Sequence, residues 1–256
     1  MSAPRETDSD EIVEVRPSAW GGVLVPPANP TVEPELARCV DSKIALFAAR
    51  FPVMPGTALE QRNRRYLELY RESVTSFGEL ELAAIVIGLT GPSYRLLPEG
   101  DRALTRELTA VAGMHVTTAS AAIADALTAL RARRICLVSP YPQWLTDEAA
   151  AYWRAAGHDV VQVIKVSEAV RAYALTSDEI GAALAGVEHD AIDAVVMSGT
   201  GMLTLPSIIV ARRAPARPIL SSNLCCAWWL LRTAGARSGS VMFSNAAPEL
   251  AALLAA

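Results

Sequence analysis

The stretch Gly22-Val-Leu-Val-Pro-Pro-Ala-Asn-Pro-Thr-Val-Glu-Pro-Glu-Leu36 decides how the chain is read. A short apolar run ends in a Pro-Pro bend, Asn29 and Thr31 follow as exposed polar residues, and two glutamates open a helical pattern. In an α/β protein such a junction lies at the carboxyl end of a strand, in the crevice where ligands bind. Asn29 can both donate and accept hydrogen bonds. The first amides of the following helix lack intrahelical partners and carry partial positive charge. The segment suits a carboxylate; an ordinary strand-to-helix turn explains it equally well.

Outward from this junction, short β-rich apolar runs alternate with helical patterns. The predicted strands are Gly22–Val25, Ile44–Val53, Ala84–Ile87, His115–Thr117, Arg134–Val138, Val160–Val163, Ala194–Met197 and Pro218–Leu220. Between them Leu59, Tyr66, Leu69, Tyr70, Val74 and Phe77 recur at helical spacing, as do Ile123, Leu127 and Leu130, and Leu224, Trp228 and Leu231. Gly157, Gly186 and Gly235 fall where helices should stop. Eight such strands with helical crossovers imply parallel sheet covered by helices on both faces. The chain also reads as two similar halves, each with a polar, glycine-containing turn directly after a buried strand. These turns are Gly88-Leu-Thr-Gly-Pro-Ser-Tyr94 and Ser198-Gly-Thr-Gly-Met-Leu-Thr204. Facing each other, they would build a site between two lobes.

Composition narrows the function. Apolar residues make up 52% and charged residues 20% of 256, as in a globular protein. A net charge of −4 with dispersed arginines gives no basic stripe and argues against nucleic acid. Arg62, Arg64 and Arg65 lie in a helical pattern and read as a solvated face. Met1–Pro17 is polar and acidic and reads as a loose tail, and no apolar run has the length of a membrane span. Four cysteines without CxxC spacing point to a reducing, cytoplasmic compartment, and the three separated histidines offer no metal cluster. Neither glycine turn matches the GxGxxG fingerprint or the GxxxxGK phosphate loop, so no nucleotide cofactor is expected.

Taken in order, these segments resemble the aspartate/glutamate racemase superfamily, in its maleate isomerase and arylmalonate decarboxylase branch. The resemblance runs from about Trp20 to Gly235. Val25–Glu35 is similar to the branch's Pro-x-x-Asn-x-Thr-x-Glu segment, Val116–Leu127 to the helix opening the second lobe, Val138-Ser-Pro-Tyr-Pro142 to its Thr-Pro-Tyr turn, and Ser221-Ser-Asn223 to the segment closing the second lobe. The resemblance implies two Rossmann-like lobes related by a pseudo-twofold axis, each around a four-stranded parallel sheet, with the site between them. The lobes would be residues 20–114 plus 224–256, and 115–223, after a tail at 1–19. It also implies cofactor-independent chemistry on a small mono- or dicarboxylate, with Asn29 and Tyr141 as carboxylate ligands. A homo-oligomer is left open.

The family's catalytic cysteine positions fall, in this reading, on Gly88 and Gly199, and glycine moves no proton. The two glycines should leave room for a bulkier substituent or a water. Thr90, Ser93 and Tyr94 on the first turn and Thr200 and Thr204 on the second can donate to a carboxylate or oxyanion, or simply satisfy the turn. Pro27, Gly91 and Gly201 complete the expected seat. Cys225, at a helix start, is a candidate relocated nucleophile; Cys39, Cys136, Cys226, Trp228 and Trp229 read as packing, and Glu99, Asp101 and Arg102 as an exposed helix start. Three functions stay open: a cofactor-free isomerase, racemase or decarboxylase with altered proton-transfer groups, a non-catalytic acid binder, and a lyase or hydrolase using activated water.

Overall fold

The computed structural model describes residues 17–167, 173–212 and 217–256, so the predicted tail lies outside the described residues up to position 16. All eight predicted strands form: β1 (Ala19–Val25), β2 (Ile44–Arg50), β3 (Ala84–Ile87), β4 (His115–Thr118), β5 (Arg134–Ser139), β6 (Asp159–Lys165), β7 (Ala194–Met197) and β8 (Ile219–Ser221). They make two four-stranded sheets of the same design, ordered β2-β1-β3-β4 and β6-β5-β7-β8. Every pairing is parallel. One boundary changes: the lobe division at residue 115 gives β4 to the second lobe, but β4 hydrogen-bonds β3 and completes the first sheet.

Parallel strands require crossovers, and helices α1 (Val32–Val40), α2 (Leu59–Val74), α3 (Gly91–Ala112), α4 (Ala119–Ala129), α5 (Gln143–Ala155), α6 (Ser177–Ala185), α7 (Leu205–Ala211) and α8 (Ser222–Thr233) supply or follow them. Short α9 (Val241–Ala246) and α10 (Pro248–Ala255) close the chain against α1 and α8. Side chains alternate across the first sheet, as a period of two demands. Val23, Val25, Ala84 and Val86 enter a core that continues through Cys136, Val195 and Val196 of the second sheet. Leu24, Ile85 and Ile87 face a second cluster with Tyr66 and Tyr70 of α2 and Leu108 of α3. Cys39, Cys136, Cys226 and Trp228 are packed in the interior, as their sequence contexts predict.

Within α3 the backbone breaks at Leu97, which has φ 57° ahead of Pro98; a residue before proline is disfavoured in helical geometry. The second segment therefore starts afresh and points Asp101 inward, where it is 0% exposed. This corrects the expectation of an exposed helix start for Asp101 alone, since Glu99 and Arg102 are exposed. No helix among the described residues is long and apolar enough to cross a membrane.

Candidate functional site

The register of both sheets brings the carboxyl ends of their central strands level: Leu24 pairs with Ile87, and Val138 with Met197. The turns after β1, β3, β5 and β7 consequently meet between the sheets. They enclose a cavity of about 450 Å3 lined by Pro26, Pro27, Ala28, Asn29, Leu89, Thr90, Gly91, Tyr141, Gly199, Thr200 and Gly201, with Leu59, Arg62, Asn63 and Tyr66 of α2 on one wall. Met54, Val53 and Tyr173 also border it. Seven of the sequence-predicted positions, Pro27, Asn29, Thr90, Gly91, Tyr141, Thr200 and Gly201, thus share one cleft, and Gly199 joins them.

The floor is tied together across the lobes. Asn29 Nδ2 donates to Thr200 Oγ1 at 3.2 Å, Thr200 Oγ1 donates to the Gly88 carbonyl at 2.8 Å, and Thr31 Oγ1 contacts the Thr200 carbonyl at 2.6 Å. Asn29 Oδ1 accepts from the amides of Thr31 and Val32 and so caps the entry to α1. Asn29 is therefore 1% exposed and Thr31 is buried, against the expectation that both project into solvent. The two hydroxyls of Thr90 and Tyr141 lie 2.6 Å apart, and Tyr94 bonds Ser198 across the same boundary. Burial pushes the Tyr141 and Tyr94 phenols up, Tyr94 to about 12, so both stay protonated at neutral pH. The backbone amides of Thr90, Gly91, Thr200 and Gly201 engage no other backbone group among the described residues. Two hydroxyls and these amides form a donor-rich concavity fit for a carboxylate or oxyanion.

The two glycines differ. Gly199 has φ +92°, and a Cβ there would stand 3.0 Å from Pro140 Cγ and 3.1 Å from the Tyr141 hydroxyl. Gly88 lies behind the wall: its amide still bonds the Leu24 carbonyl in strand register, and a Cβ would meet Val32 at 3.1 Å. From that turn Leu89, Thr90 and Gly91 line the cleft and Gly88 does not. Neither glycine leaves the vacant room expected of it, because Val32 fills one space and Tyr141 with Pro140 the other. Cys225 is also corrected. It is fully buried in α8 away from the cleft, and desolvation raises its thiol well above the ordinary range. No cysteine, histidine or carboxylate lines the cleft among the described residues.

Three buried or half-buried residues escaped the sequence. Glu35, 1% exposed, accepts from the amides of Thr204 at 2.5 Å and Leu205 at 2.8 Å and from Asn223 Nδ2 at 2.8 Å. It thereby caps α7 of the opposite lobe. Asp101 accepts from Thr118 Oγ1 at 2.8 Å and the Tyr152 hydroxyl at 2.9 Å, and burial raises its pKa. Arg62, placed on a solvated face by its neighbours, lines the cleft instead. Among the described residues, no group of His, Cys, Asp and Glu is arranged to hold a metal ion.

The model of the arylmalonate decarboxylase family matches residues 21–243. The maleate isomerase of Nocardia farcinica is 27% identical over 226 residues, covering 83% of this chain and 88% of that protein. A cysteine-to-serine mutant of a Nocardia farcinica maleate cis-trans isomerase, with a covalently bound succinylcysteine intermediate, shares the fold. Its TM-score is 0.80 at 21% identity, covering 91% of this chain and 98% of that one. A liganded arylmalonate decarboxylase carrying glycine-to-cysteine and cysteine-to-serine changes gives a TM-score of 0.76 at 20% identity, over 88% and 97%. With the family model spanning both sheets and every turn of the cleft, the chain belongs to the arylmalonate decarboxylase family.

Proposed function

We propose that the cleft binds a small acid by one carboxylate and performs cofactor-independent decarboxylation or α-proton exchange on it, with hydroxyls in place of thiols. One observation carries this reading: a side chain at Gly199 would project to within 3.1 Å of the Tyr141 hydroxyl, itself 2.6 Å from Thr90 Oγ1. The phenol thus occupies the space into which a cysteine at position 199 would extend. A covalent cysteine adduct of the kind in the Nocardia structure has no thiol to form on here, since no cysteine lines the cleft among the described residues. Decarboxylation needs no nucleophile. The bond from the α-carbon to the departing carboxylate breaks, and its electrons move onto the retained carboxylate as an enediolate. Thr90, Tyr141 and the free amides stabilise that charge. A proton then returns to the α-carbon from the Tyr141 hydroxyl, which solvent reprotonates. The apolar wall of Leu59, Leu89 and Leu145 favours loss of charge as carbon dioxide.

A second reading is an acid binder without turnover. It is favoured by the titration of the site: the phenols lining it, Tyr66, Tyr141 and Tyr173, are all raised by burial, and none is tuned toward neutrality. Proton NMR in D2O with maleate, arylmalonates, aspartate and N-acylated diamino acids separates the two. Deuterium at the α-carbon or loss of a carboxyl group, abolished in Tyr141→Phe with binding retained, is the expected outcome. Turnover undiminished in Tyr141→Phe would remove the phenol's role, and line broadening without product would favour the binder.

A further inference from the structure

Strands β2 and β6 are the equivalent open edges of the two sheets. β2 carries a charge at one end only, Arg50, whereas β6 is patterned along its whole length. Its residues, Asp159-Val-Val-Gln-Val-Ile-Lys165, alternate between an inner and an outer face. Val160 and Ile164 pack against the core, while Val161 and Val163 are 48% and 42% exposed. Gln162 fixes the strand from the inner side: its Nε2 donates to the Gly186 carbonyl at 2.9 Å, and its Oε1 accepts from the Glu188 amide at 3.1 Å. The register step against β5 falls here and leaves the alternation intact. On the side away from β5, no backbone group of residues 160–164 is bonded among the described residues. An open edge with exposed valines invites a further strand.

This edge is its own electrostatic complement. Inverted about Gln162, a second β6 sets Asp159 opposite Lys165 at both ends and Val161 opposite Val163 between them, all on the outer face. Val160 then meets Ile164 on the inner face. We propose that two copies of this chain pair antiparallel through β6, about a twofold axis at Gln162, joining their second sheets into one of eight strands. Such a contact uses the same surface on both copies and closes at two subunits. The ladder bonds the open backbone groups, and directly opposed apolar and opposite-charge pairs stabilise it. Asp159 already meets Arg133 at 3.2 Å on the surface. An exposed pair of that kind contributes little, and a carboxylate has acceptor sites for a second cation. An unrelated strand would find the same backbone edge, but the inverted copy also matches the charge at each end.

Sedimentation equilibrium of the intact protein tests this. The wild type should form dimers and nothing larger. Asp159→Lys and Lys165→Asp each set like charges face to face twice per dimer, and each should weaken association on the order of tenfold. The two changes combined should restore it. Residues 159 and 165 stand about 20 Å apart along one strand, at about 3.3 Å per residue, so recovery has to run between copies. Val163→Lys should abolish the dimer, with thermal melting at low concentration confirming that the variant is folded. A wild type that stays monomeric at every concentration overturns the proposal. So does a dimer that neither single reversal weakens, a loss that the double reversal fails to recover, or growth beyond two subunits.

Discussion

At the floor of the cleft Asn29, Thr31, Glu35 and Thr200 hydrogen-bond from one lobe to the other, whereas on the α2 wall Asn63 and Arg62 bond to nothing among the described residues. The floor spends its polar groups on structure and offers a ligand only what is left over: two hydroxyls and a few amides. The wall keeps its groups idle. Idle buried donors such as the Asn63 amide are costly in a folded protein. Polar burial alone therefore does not separate a structural group from a ligand-binding one.

Removing Glu35 should break the comparison hardest. Glu35→Ala leaves the Thr204 and Leu205 amides and the Asn223 carboxamide without their acceptor. We expect a loss of about 3–5 kcal/mol from these stranded donors, measured by urea unfolding. A loss below the usual range for a surface substitution would show that α7 finds another cap. Gly199→Ala should cost less, about 1–2 kcal/mol for a side chain at positive φ, and should also displace Tyr141, 3.1 Å from the new atom. Weakened acid binding alongside the stability loss is the expected pair of results; stability loss with unchanged binding would detach Tyr141 from the seat.

The smallest effect concerns Asp101, which faces Thr118, Tyr152 and Tyr94 and no cation within hydrogen-bonding reach. Burial raises its pKa above the ordinary 3.8. The native state then holds a proton that the unfolded state releases, so the stabilising contribution is complete below 3.8 and declines as pH rises through the folded pKa. Asp101→Asn should flatten the fall of melting temperature over that rise. A wild-type curve already flat above pH 4 would show the carboxylate to be adequately solvated by its hydroxyl donors.

The strands were legible because strands buried on both faces are unbroken apolar runs, as in Ala84–Ile87 and Ala194–Met197. The register that levels their ends follows from parallel pairing, so the cleft could be placed from the turns alone. Individual polar residues were not legible. Glu33 and Glu35 sit two positions apart in the same helical turn, yet Glu33 pairs with Arg50 at the surface and Glu35 is sealed in. Arg62 and Arg65 share a helix, and only the position of the cleft mouth distinguishes them. The same limit applies to Gly88 and Leu89: sequence identifies the turn, but which residue faces the cavity depends on where the strand's hydrogen bonding stops. In each case the deciding partner is distant in the chain, and local pattern carries no record of it.

The Glu35 contacts also bear on how this architecture could be recombined. Two sheets of identical order suggest interchangeable modules, and a chimera joining the first half of one relative to the second half of another looks feasible. Yet Thr204, Leu205 and Asn223 lie 169 to 188 positions beyond the carboxylate they share. A second half grafted onto a partner lacking that carboxylate would arrive with the start of α7 uncapped at the centre of the joint. Exchange between relatives is thus restricted to pairs that carry both sides of this contact, however alike their sheets.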